Sequence, residues 1–146
     1  MKPEETHHRC VLIADDDGLV RGSLAAVLES EGFLVDEAQN GMEAIAQATK
    51  NSPDLILLDL NMPRMDGWFA FREIDLVRPL IPVIIITARP NQYSEALRHG
   101  ADAFMEKPLD LPLLLQAIRR LTNEPHKRCP RRVSARNSTW LLKSER

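Results

Sequence analysis

Residues 54–67 read DLILLDLNMPRMDG. Leu55, Ile56, Leu57 and Leu58 form an apolar run of strand length with no polar position to turn toward water. A run of this kind suits a strand covered on both faces, as in a parallel sheet. It ends at an acid, Asp59, and the chain then passes through Met62-Pro63 to Asp66-Gly67, a pair that suits the opening of a helix. A buried strand that delivers a carboxylate into a loop is the unit from which the remainder of the chain can be read.

The unit recurs on both sides. Upstream, Cys10-Val11-Leu12-Ile13-Ala14 runs into Asp15-Asp16-Asp17, and Leu19, Val20, Leu24, Val27 and Leu28 follow at helical spacing until Gly32. Phe33-Leu34-Val35 reads as a second short strand, and Met42, Ile45, Ala46 and Ala48 as a helix between Asn40-Gly41 and Asn51-Ser52-Pro53. Downstream, the helix opened by Asp66-Gly67 extends to about Arg78, where Pro79 and Pro82 interrupt it. Val83 to Ile86 is a fourth strand ending at Thr87, and residues 91–99 form a short helix closed by Gly100. Ala103-Phe104-Met105 is a fifth strand running into Glu106-Lys107-Pro108, and the last helix carries Leu111, Leu114, Leu115, Ile118 and Leu121 on one face. Strict alternation of five strands and five helices predicts a doubly wound α/β domain with a five-stranded parallel sheet and helices on both faces.

Composition narrows the class. The chain of 146 residues has room for one ordinary domain. No apolar stretch is long enough to cross a membrane, and the opening MKPEETHHRC lacks the apolar core of a secretory signal. Cys10 and Cys129 stand far apart with no CxxC spacing, which fits a reducing cytoplasm rather than a disulfide scaffold. His7, His8, Cys10, His126 and Cys129 fit no zinc-ligand spacing. The net charge of −2 conceals a division: residues 1–122 hold 12 Lys+Arg against 19 Asp+Glu, whereas residues 123–146 hold 7 against 2. The acidic body is a poor surface for nucleic acid, and only the basic tail could contact phosphates. Residues 1–8 form an N-terminal extension, 9–122 the domain, and 123–146 a tail expected to be mostly disordered, with Trp140-Leu141-Leu142 its one apolar spot.

In doubly wound sheets, ligands bind beyond the carboxyl ends of the strands. Those ends carry Asp15, Asp16 and Asp17, then Asp59, Thr87 and Lys107; Asp36-Glu37 lie toward the margin. Clustered carboxylates repel one another and favour a cation. An all-oxygen set suits Mg²⁺, with Mn²⁺ as the alternative. A lysine and a hydroxyl supply what a phosphoryl group requires. With neither GxxxxGK[ST] nor GxGxxG present, a bound nucleotide is not indicated, and phosphoryl transfer onto the protein at Asp59 is the chemistry that remains.

VLIADDD, DLILLDLNMPRMDG, VIIITA and ADAFMEKP, in this order and spacing, resemble the receiver (CheY-like) domain of two-component response regulators over about residues 9–122. The resemblance implies a flavodoxin-like fold with strand order 2-1-3-4-5 and a signalling protein rather than an enzyme. It makes Asp59 the phosphoacceptor and Asp15 and Asp16 the acidic pair that, with Asp59 and the backbone carbonyl of Asn61, holds the metal. It makes Thr87 the switch hydroxyl, Ala88 the small residue that admits the phosphoryl group, Lys107 its counter-ion, and Phe104 the aromatic that swings inward on activation. It also implies a cis peptide between Lys107 and Pro108, and places Asn61 and Arg89 where family members tune phosphoryl lifetime.

By the same resemblance, the phosphoryl donor is a sensor histidine kinase or a histidine phosphotransfer protein. The signal is read by a downstream protein on the face made by the fourth helix, fifth strand and fifth helix. Leu113 lies off the apolar stripe of the last helix and is expected exposed, forming an apolar spot with Tyr93 and Phe104 on that face. Ala103, Leu113 and Ala117 stand where dimerising family members carry charged residues, so a monomer, or a dimer formed on phosphorylation without those charges, is expected. A stand-alone receiver is expected too, because a 24-residue tail is too short for a DNA-binding output domain. Two other functions are compatible with the sequence: a binding module indifferent to phosphorylation, and nucleic-acid association through the basic tail.

Overall fold

Within each central strand the side chains alternate between two apolar layers although the sequence there is apolar throughout. Val11 and Ile13, Leu55 and Leu57, and Ile84 and Ile86 enter one layer; Leu12 and Ala14, Ile56 and Leu58, and Val83 and Ile85 enter the other. This is the two-residue period of an extended chain acting where both faces are covered. The computed structural model describes residues 8–123 and the backbone of residues 140–142.

In chain order the elements are β1 (Cys10–Ala14), α1 (Gly18–Ser30), β2 (Leu34–Ala38), α2 (Gly41–Asn51), β3 (Leu55–Asp59), α3 (Gly67–Val77), β4 (Val83–Thr87), α4 (Tyr93–His99), β5 (Ala103–Glu106), α5 (Leu111–Asn123) and β6 (Trp140–Leu142). All pairings are parallel, and the first five strands take the expected order 2-1-3-4-5. Leu24, Ala25 and Leu28 of α1 and Leu114, Ala117 and Ile118 of α5 cover one face of the sheet. Ala44 and Ala48 of α2, Trp68, Phe71 and Ile74 of α3, and Ala96 of α4 cover the other. Burying these side chains supplies the main driving force for the fold.

Two boundaries and one strand differ from expectation. β2 begins at Leu34 and continues through Asp36 and Glu37 to Ala38, because it pairs with β1 over its whole length. As an edge strand it is only half covered, so polar residues are tolerated there. Helix α4 starts at Tyr93 rather than Asn91, whose φ of 61° is left-handed and cannot lie in a right-handed helix. The third difference is the sixth strand. Residues 140–142, expected in a disordered tail, pair with β5 in the register Ala103↔Trp140, Phe104↔Leu141 and Met105↔Leu142. The rest of the tail, with His126 and Cys129, and the first seven residues lie outside the described part of the chain.

Candidate functional site at the carboxyl ends of the strands

Parallel pairing brings the ends of β1, β3, β4 and β5 to one edge. Asp15 follows β1 and its N–H donates to the Ala38 carbonyl (3.1 Å). Asp17 is the N-cap of α1, its carboxylate accepting from the N–H groups of Leu19 and Val20. Asp59 closes β3, Thr87 closes β4, and the Lys107 N–H donates to the Thr87 carbonyl (2.8 Å), so the chain after β5 stays joined to β4. The Lys107–Pro108 bond is cis.

Asp15, Asp59 and Thr87 are buried, at 0%, 2% and 0% exposure, while Asp16 and Asn61 are open to solvent. Lys107 Nζ lies 3.0 Å from Asp15 Oδ2 and 3.1 Å from Asp59 Oδ2. The remaining oxygens are held by backbone: Asp15 Oδ1 accepts from Asp17 N–H (2.9 Å) and Asp59 Oδ1 from Asn61 N–H (3.0 Å). One lysine therefore faces two buried carboxylates. Burial raises the pKa of Asp59 above the ordinary 3.8; the Asn61 N–H opposes this, the charge of Asp15 adds to it, and Lys107 partly offsets it. Burial disfavours the Lys107 ammonium, yet its hydrogen bond to Asp15 and the charge of Asp59 outweigh this and raise its pKa.

Oxygens from Asp15, Asp16 and Asp59 all lie within 4.8 Å of one another. Hard oxygen donors, two buried and one exposed, fit a divalent cation that keeps part of its water shell, so the donor set suits Mg²⁺. The Thr87 hydroxyl accepts from the Arg89 N–H (3.0 Å), and Ala88 is exposed between them at the rim. Arg89 itself forms a 3.6 Å ion pair with Asp66 at the start of α3.

The apolar spot expected from Tyr93, Phe104 and Leu113 does not form. Phe104 is fully buried, with its ring centroid 5.9 Å from that of half-buried Tyr93, in the layer beneath α2, α3 and α4. Leu113 is half-buried rather than exposed and packs in the opposite layer, with α1 and α5. Alternation along β5 separates them: Phe104 points to one face of the sheet, Ala103 and Met105 to the other.

Further residues that support the site carry no sequence signal of doing so. Arg21 pairs with Glu37 (2.9 Å) and donates to the Asp15 carbonyl (2.7 Å), linking the marginal end of β2 to the acidic pair. A Cβ on Gly67 would stand 2.4 Å from Leu60 Cα, so only glycine lets α3 start against the backbone that follows Asp59. The Trp68 indole N–H donates to Gln92 Oε1 (3.0 Å), and its rings stack on His99 (4.6 Å, 18°), fastening α3 to both ends of α4. Burial lowers the pKa of His99, with nearby Glu95 opposing and Arg98 and Arg72 assisting, which favours the neutral ring in that stack.

Fold and site together define a doubly wound α/β domain with an acidic, lysine-bridged pocket at the carboxyl edge. Residues 11–119 match the response regulator receiver domain. Over 113 residues the chain is 37% identical to the response regulator MprA of Mycobacterium sp. (strain KMS), covering 76% of this chain and 49% of that protein. It is 40% identical, also over 113 residues, to the transcriptional regulatory protein PdtaR of Mycobacterium tuberculosis (strain ATCC 25618 / H37Rv), covering 75% and 55%. The chain thus spans about half the length of these curated relatives. A CheY-like receiver domain protein from Methanospirillum hungatei JF-1 superposes with a TM-score of 0.78 at 29% identity, over 83% of this chain and 98% of that one.

The chain belongs to the response regulator receiver family, the phosphoacceptor class of two-component signalling. Receiver domains of this family work between histidine kinases and downstream effectors. Among the described residues, no helix is long and apolar enough to cross a membrane.

Proposed function

We propose that Asp59 accepts a phosphoryl group from the phosphohistidine of a sensor kinase or histidine phosphotransfer protein, and that the modification alters the face made by α4, β5 and α5. The observation that carries this reading is the position of Lys107 Nζ, 3.0 and 3.1 Å from the buried carboxylates of Asp15 and Asp59. An Asp59 oxygen attacks phosphorus, an acyl phosphate forms, and the bond to the donor imidazole nitrogen breaks with its electron pair leaving on the imidazole. Asp15, Asp16, Asp59 and the Asn61 carbonyl would hold Mg²⁺, or Mn²⁺, which when bound neutralises charge on the phosphoryl oxygens. Lys107 pairs with the transferred group, and Ala88 leaves room for it.

The acyl phosphate adds about two negative charges and strong acceptors. The Thr87 hydroxyl turns from the Arg89 N–H toward them, and Phe104, already inward in this structure, is favoured there because it fills the space that Thr87 leaves. Two states of the α4–β5–α5 face thereby change in population, and a protein partner reads the difference. Arg89 and Asn61 stand at the rim, where they set the access of hydrolytic water and so the lifetime of the phosphoryl group. A cytoplasmic location accords with this chemistry.

The test is incubation of the protein with acetyl phosphate and Mg²⁺, followed by intact mass measurement. The expected result is one phosphoryl adduct, absent in Asp59→Ala and strongly reduced in Asp16→Ala and without the metal. An adduct that persists in Asp59→Ala overturns the reading.

A further inference from the structure

Without β6, β5 would be the outer strand of the sheet, with the N–H and C=O groups of its free side open. Open strand edges invite pairing, and proteins cover or charge them. β5 lacks the charges that guard an open edge: it reads Ala103-Phe104-Met105 before its one charged residue, Glu106. The other edge strand, β2, is half exposed and carries Asp36 and Glu37. The cover on β5 comes from the chain itself. Trp140–Leu142 pairs in parallel along β5, with Leu141 opposite Phe104. The 16 residues between Asn123 and Trp140 can span tens of ångströms, about 3.3 Å each when extended. Charge favours the return: residues 123–146 carry 7 Lys+Arg against 2 Asp+Glu, and the body is acidic.

We infer that residues 140–142 act as a strap in cis, occupying the β5 edge within the α4–β5–α5 face and coupling its docking to the state of Asp59. This rests on the phosphoacceptor reading for the coupling, and on the β5–β6 pairing alone for the occupancy. The strand is docked while Phe104 is fully buried. Leu141 pairs with Phe104 itself, so a shift of Phe104 reaches the β5–β6 ladder, and a coupling between the two is reciprocal. A partner that uses the β5 edge must displace the strap, so the tail sets which partners gain access.

Amide hydrogen exchange followed by mass spectrometry tests this on the full chain, as wild type, as Leu141→Pro, and as the double variant Trp140→Asp/Leu142→Asp. Exchange over residues 102–107 should accelerate by roughly tenfold in both variants, with β1 and β3 unchanged, because undocking opens only the edge. Equal β5 exchange in all three chains overturns the strap. In the wild type, beryllofluoride with Mg²⁺ should slow β5 exchange by about threefold or more and should bind Leu141→Pro more weakly by the same factor. No change, or acceleration, overturns the coupling. Acetyl phosphate labelling of the same samples keeps the two ideas separate. Labelling of Asp59 without any β5 difference removes the strap and leaves the phosphoacceptor. A β5 difference without labelling leaves the strap's occupancy and removes the coupling.

Discussion

The centre of the carboxyl edge and its flank meet opposite electrostatic conditions. At the centre, Asp15 and Asp59 are buried side by side with one ammonium between them, and Asp59 has a raised pKa. On the flank, at the start of α3, Trp68 has its N–H satisfied by Gln92 and its face covered by His99, whose pKa burial lowers. The centre holds charge at the expense of stability, as a site awaiting cationic and phosphoryl ligands does. The flank contributes stability and fastens α4, the helix adjoining the switch hydroxyl. The contrast teaches that this domain keeps its tension at the chemistry and its rigidity at the element that transmits it.

Three substitutions would break or sharpen this contrast. The largest effect is expected where the centre depends on backbone contact. Gly67→Ala pushes a methyl group against Leu60 and should cost about 3 kcal/mol, as overpacking does. Chemical denaturation checks it, and a loss well below 1 kcal/mol would mean that the start of α3 yields easily.

Next is Asp59→Asn. A raised folded pKa means that the acid's contribution is fully present below its unfolded value, near 3.8, and is lost as pH rises through the folded value. At pH 7 the ionised group is thus a burden, and Asp59→Asn, which leaves Lys107 paired with Asp15, should stabilise by about 1–2 kcal/mol, the range of an ordinary single-site change. The gain should shrink toward pH 4 in thermal melts. A destabilised variant at pH 7 would show that the centre is not under tension. The smallest effect is expected on the flank: Trp68→Phe removes the bond to Gln92 and should cost about 1 kcal/mol. It should also speed amide exchange in α4 more than in α2. Equal effects on both helices would remove the special role of the flank.

The fold was legible from residues 10 to 123 because each element carries its own period and its own stop. The continuous apolar runs of β1, β3 and β4 state burial on both faces, and Gly100 ends α4 with the left-handed φ of 79° that such a stop requires. The edge strand β2 looks short in the sequence because Asp36 and Glu37 break the apolar run, whereas its length follows from pairing with β1. The tail strand is invisible in the sequence for the same reason: three residues have no period, and only β5 gives them a partner.

The candidate site divides along the same line. That carboxylates, a hydroxyl and a lysine end successive strands was determined by sequence alone, since the order of a parallel sheet brings strand ends to one edge whatever the side chains do. Tertiary structure alone decided that Lys107 bonds to Asp15, 92 positions away, and to Asp59, 48 away. It alone decided that Phe104 and Leu113 enter opposite layers, and that Gly67 touches Leu60. Local periodicity reports which residues are buried. Which residues meet depends on strand register and on the pleat, where a shift of one residue reverses every side chain, and those are settled only when distant segments pair.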